Sequence, residues 1–224
     1  MYERPHYSVD SAAALSLVAS NPIALLVTSN DGHVAGAHVP VLFYRGPQGQ
    51  TAEGIMADAA PLEGSLLVGH MNINNPQWRS MRRGDRALIV FQGPHGYVSP
   101  AIYGVTPSAP TWDFTAVHLT GTLSPSAEYE DVVTIVTETA RRLELAFGQG
   151  WQHDASAEYI ARIARGVGAF QMRVDSVETM FKLSQEQSPV LRERVAKHFG
   201  NSESVTHRAL AHLIRIHSNR RNRT

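Results

Sequence analysis

The chain has 224 residues, of which 43% are hydrophobic, and its 20 basic and 20 acidic side chains give a formal net charge of zero. This length can bury one sizeable core or two small ones. The balanced charge argues against a bulk electrostatic grip on nucleic acid, which requires many phosphates to be neutralised together. The sequence contains no cysteine, which excludes disulfides, thiolate nucleophiles, iron–sulfur clusters and Cys-ligated zinc.

The two ends of the chain predict neither a targeting signal nor a nucleic-acid site. The stretch MYERPHYSVD carries charges where a signal peptide needs an apolar core, and no run reaches the ~18 apolar residues of a membrane span. The basic run RIHSNRRNRT at 215–224 is interpreted as a frayed tail. We therefore expect a cytoplasmic protein without nucleic-acid or membrane partners.

The first half of the chain predicts one helix followed by strands. Residues 11–20 follow Asp10 in the helix-cap position, and the NP pair at 21–22 ends this helix. Two apolar runs flank NDG, which predicts a hairpin of about 23–29 with 33–44, and the region 47–64 predicts a loop. Four further strand signals are SLLVGHM, RALIVFQG, YVSPAIYG and TWDFTAVHLTGTL.

In the second half of the chain, the spacing of the apolar residues changes from that of strands to that of helices. Apolar residues recur every three to four positions over 128–147, which predicts an amphipathic helix. A second helical piece at 155–165 precedes the strand VGAFQMRVD and a short strand near MFKLS, and helices return at 189–198 and 203–217. Six or more short strands with inserted and appended helices predict a small β-barrel of α+β type.

Three of the eleven histidines lie inside strand patterns, seven occupy termini, turns or helix faces, and His95 lies in the segment 91–104. The three are His38, His70 and His118. By strand alternation each shares a face with apolar neighbours and could point into a cavity as a ligand. Each could equally be a hydrogen-bonded core histidine. No HExxH spacing is present, so hydrolytic zinc is not predicted.

Three segments concentrate unusual residue types, and each has two interpretations. FQGPHGYVSPAIYG at 91–104 and APTWDFTAVH at 109–118 could form the floor of a pocket for a flat hydrophobic ligand, or could be corner packing in a tight barrel. FKLSQEQ at 181–187 could offer polar contacts to a ligand, or could be a strand-to-helix turn with Ser184 as the N-cap.

Several of these segments together resemble the PaiB-type family, known as FMN-binding negative transcriptional regulators. They are GHMNINNPQW, FQGPHGYVSP, APTWDF, GVGAF and KLSQEQ, and the likeness extends in order to about residue 199. The resemblance implies an α+β split β-barrel like that of flavin reductases, with inserted and C-terminal helices. We expect a domain over 1–199 with a helical insertion at about 126–166, then a C-terminal helix and basic tail over 200–224.

Within that family, LVGHMN, YVSPAIY, APTWDFT and MFKLSQEQSP look like the haem-dependent piperazate synthases of natural-product biosynthesis. That branch implies haem b as the cofactor, with FMN as the alternative, and L-N5-hydroxyornithine as the substrate. It implies dehydrative formation of the N–N bond of L-piperazic acid. It also implies a homodimer.

The haem expected from the resemblance gives several residues a role in binding the cofactor. His70 matches the axial iron ligand, and His38 is expected to line the pocket or meet a propionate. Asn72, Asn74 or a backbone carbonyl is expected to accept the hydrogen bond of the other imidazole nitrogen. Trp112 and Phe114 are expected to pack on the macrocycle.

The proton donor and the clamp on the substrate carboxylate are assigned by position in the family fold to Lys182, Ser184, Gln185 and His95. His118 is expected to be dispensable. The sequence has WDF at 112–114 where many PaiB-type proteins have WNY.

Two other functions remain open from the sequence. One is a PaiB-like flavin- or haem-binding regulator or sensor without N–N bond chemistry. The other is a flavin-dependent reductase of the split-barrel class, for which we would expect a yellow chromophore and oxidation of NAD(P)H.

Overall fold

The structure is a computed structural model that describes residues 5–30, 32–44 and 62–221. Most of the predicted loop 47–64 lies outside the described residues. The chain forms two compact units, each built from separated segments. Unit 1 comprises Met1–Asp10, Gln92–Val117 and Glu178–Thr224, and unit 2 comprises Ser11–Phe91 and His118–Val177.

The described strands form a closed barrel in the order β1-β2-β3-β6-β5-β4. They are β1 (Ile23–Asn30), β2 (His33–Tyr44), β3 (Leu66–Asn72), β4 (Arg86–Val98), β5 (Thr111–Ser126) and β6 (Val167–Lys182). The β1–β2, β1–β4, β2–β3 and β3–β6 ladders are antiparallel. The predicted NDG hairpin is confirmed, because Asn30 pairs with His33 at its tip.

Alternation along β3 separates the barrel interior from its outer face. Leu67 and Met71 are buried and share one face, on which Gly69 brings the backbone close to the interior ring of Phe170. A Cβ added at Gly69 would lie 2.4 Å from that ring. Val68 and His70 therefore project from the opposite, outer face.

Among the described residues, four α-helices belong to unit 2: α1 (Ser11–Ser20), α2 (Pro76–Ser80), α4 (Tyr129–Phe147) and α5 (Ala157–Ile163). The amphipathic stripe predicted for 128–147 covers part of the outer sheet face, where Val132 and Ile135 of α4 pack with Val68 and Ala169. Burial of these apolar side chains holds α4 on the sheet. The buried guanidinium of Arg142 also donates from Nη1 to the carbonyl of Phe43.

In the described part of unit 1 there are three α-helices: α3 (Pro100–Tyr103), α6 (Pro189–Gly200) and α7 (Val205–Arg221). The last two form a hairpin whose buried residues Phe199 and Leu210 lie against Gly96. A Cβ at Gly96 would be 2.6 Å from the Phe199 ring. The N-cap of α6 is Ser188, which accepts from the backbone N–H of Leu191, so the interpretation of Ser184 as this cap is wrong.

The structure differs from the predicted elements at three places. RALIVFQG and the start of YVSPAIYG form one strand, and Ser99 then caps the short helix α3, which ends at Gly104 with φ 62°. VGAFQMRVD and MFKLS likewise form the single strand β6. Helix α2 was not predicted; Asn75 caps it, and proline occupies its first turn.

The α+β split β-barrel with inserted and C-terminal helices is confirmed, and the predicted insertion corresponds to α4 and α5. The expected domain boundary after residue 199 falls inside unit 1. No helix in the described part of the chain combines the length and apolar character needed to cross a membrane.

Candidate functional site

His70 lies near the end of β3, where it pairs with Ala169 of β6. Its side chain is partly buried, and its Nδ1 atom is fully buried with no hydrogen-bond partner among the described residues. Burial lowers the pKa of His70 below its usual value, because desolvation disfavours the charged imidazolium. The imidazole is therefore neutral at pH 7 and has a lone pair that can bind a metal.

The asparagines after His70 are engaged with one another and not with its ring. Asn72 Oδ1 accepts from the backbone N–H of Asn74 at 2.8 Å, and Asn74 Oδ1 accepts from Arg79 Nη2 at 2.6 Å. The predicted hydrogen bond from the His70 ring to Asn72 or Asn74 is thus not made in this structure. These bonds instead fix the turn between β3 and α2.

His38 lies on the same outer sheet face as His70. The β2–β3 register pairs Leu42 with Val68 and Val41 with Gly69, so alternation gives His38, Leu42, Val68 and His70 a common face. His38 is exposed. The face that His38 and His70 share is the outer face of the barrel, so a cavity that both histidines line would lie outside the barrel. His118, also in unit 2, is partly buried.

In unit 1 the structure joins two segments that the sequence left separate. Asp113 of the WDF segment and Ser184 of the KLSQEQ segment are both fully buried. The Ser184 hydroxyl donates to Asp113 Oδ2 at 2.6 Å, and the Ser184 backbone N–H donates to Asp113 Oδ1 at 3.1 Å. Ser184 has φ 56°, in the left-handed region that few non-glycine residues adopt. The carboxylate therefore fixes this turn.

Burial raises the pKa of Asp113 from 3.8 to about 6. The hydrogen bonds from Ser184 and the charge of Lys182 oppose this effect, and the charge of Glu186 adds to it. Sequence reasoning noted WDF only as a departure from the family pattern and missed the role of Asp113. Alternation assigns Asp113 to the face opposite Trp112 and Phe114, but the sequence carries no signal that this face, and not the aromatic one, is buried.

Lys182 and Gln185, two other predicted catalytic residues of unit 1, are also held by hydrogen bonds. Lys182 Nζ donates to Thr111 Oγ1 and, at 3.1 Å, to the carbonyl of Trp112. Gln185 Oε1 accepts from the backbone N–H of Leu183 at 2.5 Å, and Gln185 Nε2 donates to the carbonyl of Phe181. Gln185 thus closes the turn that contains Ser184.

A partly exposed aromatic group accompanies these residues in unit 1. Trp112 is 52% exposed, and its ring centroid lies 5.7 Å from that of His95 and 6.0 Å from that of Tyr97. Phe114 is partly buried. The rings of His95, Tyr97 and Trp112 form an accessible surface that can pack on a flat ligand.

A metal site built from protein side chains alone is not found in the described residues. There, no three histidine, aspartate or glutamate side chains lie close enough together to hold an ion. His70 is therefore a candidate for a single ligand to a metal whose other ligands come from elsewhere.

The closed barrel of the described strands, with its inserted and appended helices, defines a split β-barrel. The family described as "Putative FMN-binding domain" matches residues 1–176. The chain belongs to this family.

Three similar proteins span most of the chain. Protease synthase and sporulation protein PAI 2 of Bacillus subtilis is 24% identical over 216 residues, which cover 96% of each chain. A conserved hypothetical protein of Mycobacterium tuberculosis has a TM-score of 0.54 at 12% identity, covering 84% of this chain and 94% of the other. The FAD and heme binding protein from Mycobacterium smegmatis has a TM-score of 0.50 at 14% identity, covering 84% and 78%. At these identities the two solved structures support the fold.

Proposed function

We propose that this chain binds haem b through His70 and is a haem-dependent piperazate synthase. The observation that carries the haem assignment is the partly buried imidazole of His70 on the outer sheet face; its Nδ1 is fully buried, so Nε2 is the nitrogen that would bind the iron. The Mycobacterium smegmatis protein, whose name says that it binds FAD and heme, supports a haem in this fold. The reaction itself rests on the sequence resemblance.

The proposed reaction is balanced without an oxidant or reductant. The N–O bond of L-N5-hydroxyornithine breaks, its α-amine forms the new N–N bond and loses a proton, and the oxygen leaves as water. When bound, haem iron supplies a Lewis acid that polarises the hydroxylamine. Holding the α-amine of the bound substrate close to its distal nitrogen lowers the entropic part of the activation barrier.

The residues of this chain divide between binding and positioning. His70 holds the iron as a neutral ligand, and the exposed His38 on the same face is proposed to line the site. Lys182 and His95 are proposed to deliver the proton or to bind the substrate carboxylate. The Ser184 hydroxyl is committed to Asp113, so we assign Ser184 to positioning of the turn, together with Gln185.

The test is an absorption spectrum of the protein produced with haem supply, compared with its His70→Ala variant. We expect a Soret band that is lost in His70→Ala and retained in His33→Ala, which removes an exposed histidine from the start of β2. The parent protein is then incubated with L-N5-hydroxyornithine, and piperazate is measured by mass spectrometry. A Soret band that survives in His70→Ala would refute the ligand assignment.

The second candidate is a flavin- or haem-binding regulator or sensor without N–N bond chemistry. The family description and the sporulation relative favour this function. It predicts that the purified protein carries FMN or haem and forms no piperazate. A flavin spectrum together with an absent product would therefore replace the synthase proposal with this one.

We also propose that the protein is a homodimer. Ile23 of β1 and Val34 of β2 are 57% and 75% exposed, and alternation places both on the outer sheet face with Leu25 and Val27. Leu25 and Val27 are partly buried, and exposed apolar side chains grouped in this way are typical of an interface. Sedimentation should give a dimer that Val34→Glu dissociates, whereas Val205→Glu, at an exposed position of α7, should not.

A further inference from the structure

A cavity of about 400 Å³ opens in unit 2 where the start of α4 meets the ends of β3 and β6. Its lining is mostly apolar, and it consists of Ile73, Ala127, Tyr129, Val132, Ala164, Arg165 and Val167. This volume is within the range of small-molecule sites in proteins. None of the predicted site residues lines it.

The cavity has one cationic side chain. Arg165 lies over the ring of Tyr129, with its guanidinium carbon 5.6 Å from the ring centroid. The Tyr129 hydroxyl donates to the carbonyl of Ala161 at 3.0 Å, which fixes the ring beneath the guanidinium. Arg165 makes no ion pair with any residue in the described ranges, and it is exposed. Its planar fork of donors is therefore available for a carboxylate.

Two acidic residues follow Tyr129 in the first turn of α4, and neither lines the cavity. Asp131 accepts a hydrogen bond from Ser126 Oγ at 2.6 Å, and Glu130 is exposed. Both carboxylates are near the positive end of the helix, where negative charge is stabilising. Arg165 thus remains the one cation of the cavity lining.

The strand register places the cavity beside His70. His70 pairs with Ala169 and Asn72 pairs with Val167, so the cavity residue Val167 is two positions, or about 7 Å, along β6 from the partner of His70. Val167 and Ala169 also project from the same sheet face by alternation. Ala169 is covered by α4, whereas Asn72, which pairs with Val167, is exposed. A flat ligand held at its centre by His70 would therefore reach the cavity over Asn72.

We propose that this cavity is a carboxylate-binding subsite and that it receives the propionate-bearing edge of the macrocycle bound at His70. The apolar walls contact the edge of the ring, and Arg165 pairs with the propionate carboxylate. This inference rests on the proposed haem binding. The subsite would provide a second contact to the cofactor, at its propionate edge and not at its iron.

The test compares haemin with haemin dimethyl ester, in which the propionates are esterified and uncharged. Absorbance titration of the full chain gives the affinity for each compound, without any measurement of activity. We expect Arg165→Ala to weaken haemin binding about fivefold to tenfold, the effect of losing one partly exposed charge-assisted hydrogen bond pair. The same variant should leave the weaker binding of the ester unchanged, because the ester has no charge to pair.

The matched control is Arg162→Ala, which removes an exposed arginine that lies over Tyr159, outside the cavity lining. Its haemin affinity should equal that of the parent. Ala127→Trp is a second test, because Ala127 is exposed and lines the cavity. The added indole should occupy the cavity and weaken the binding of haemin and of its ester alike.

The possible failures are distinguishable. If the parent binds haemin and its dimethyl ester equally, or if Arg165→Ala binds haemin as the parent does while His70→Ala loses the Soret band, the subsite is refuted and the haem proposal stands. If the parent does not bind haemin at all, both are refuted. If the parent binds the ester more weakly than haemin, and if this difference disappears in Arg165→Ala, the subsite is supported.

Discussion

The buried pair of Asp113 and Ser184 makes a quantitative prediction about stability. Asp113 binds its proton more tightly in the folded chain, because its pKa is raised from 3.8 to about 6. The free energy of unfolding should therefore be highest below pH 3.8 and should fall as the pH rises to about 6. Above that pH, Asp113 should not change the free energy of unfolding any further. A shift of this size corresponds to about 3 kcal/mol.

Asp113→Asn isolates this contribution, since asparagine does not titrate in this range. The free energies of unfolding of the parent and the variant are measured by urea denaturation from pH 4 to pH 8. The parent should lose about 2.4 kcal/mol of the full ~3 kcal/mol relative to Asp113→Asn between pH 4 and pH 7, because the unfolded carboxyl is already partly ionised at pH 4. The difference between the two proteins cancels the titration of all groups they share.

Two further variants sharpen the measurement. Asp154→Asn replaces a fully exposed carboxylate and should leave the pH dependence of stability as in the parent. Ser184→Ala removes the hydroxyl that donates to Asp113, and this hydrogen bond lowers the pKa of Asp113. The midpoint of the pH-dependent loss should therefore move to higher pH. A difference between the parent and Asp113→Asn that stays constant with pH would refute the account of a desolvated carboxylate.

Two predictions concern packing in unit 2. Gly168→Ala should destabilise the protein by about 2 to 3 kcal/mol, because a Cβ there would lie 2.2 Å from the ring of Trp78, whereas Gly166→Ala, with nothing within 4 Å, should have little effect on the denaturation midpoint. Glu138→Gln should cost about 1 to 2 kcal/mol at pH 7 by leaving the buried Arg142 without its carboxylate. Burial raises the pKa of Glu138, but hydrogen bonds from its arginine partners outweigh this and hold the pKa below 4.5. The cost should therefore shrink as the pH falls below 4.5, and a cost that does not change with pH would contradict this explanation.

Much of the fold could be predicted from local patterns in the sequence. The NDG turn predicts the β1–β2 hairpin because hairpin turns of this kind need residues that tolerate positive φ. The period of 128–147 predicts α4 because its apolar positions fall on one helix face. The predicted break between RALIVFQG and YVSPAIYG was wrong because the glycines and proline of that segment do not interrupt β4 in the structure.

The candidate site could be predicted only in part. Alternation predicted which neighbours share a sheet face with His38 and with His70, since successive side chains on a strand project to opposite sides. It did not show that those faces lie outside the barrel. Both faces of β3 carry apolar residues, so the sequence does not tell which face points into the barrel. The outer face is the one on which α4 packs, and the α4 residues that pack there lie more than 60 positions away in the sequence.

The remaining contacts join residues that are distant in the chain. Asp113 and Ser184 are separated by 71 positions, and Arg165 and Tyr129 come together only where α4 meets the turn before β6. The sequence by itself determined the residue types, the strand and helix periods and the family. The tertiary structure decided the neutral state of His70, the raised pKa of Asp113 and the cavity at Arg165, because burial and long-range pairing exist only once the chain has folded.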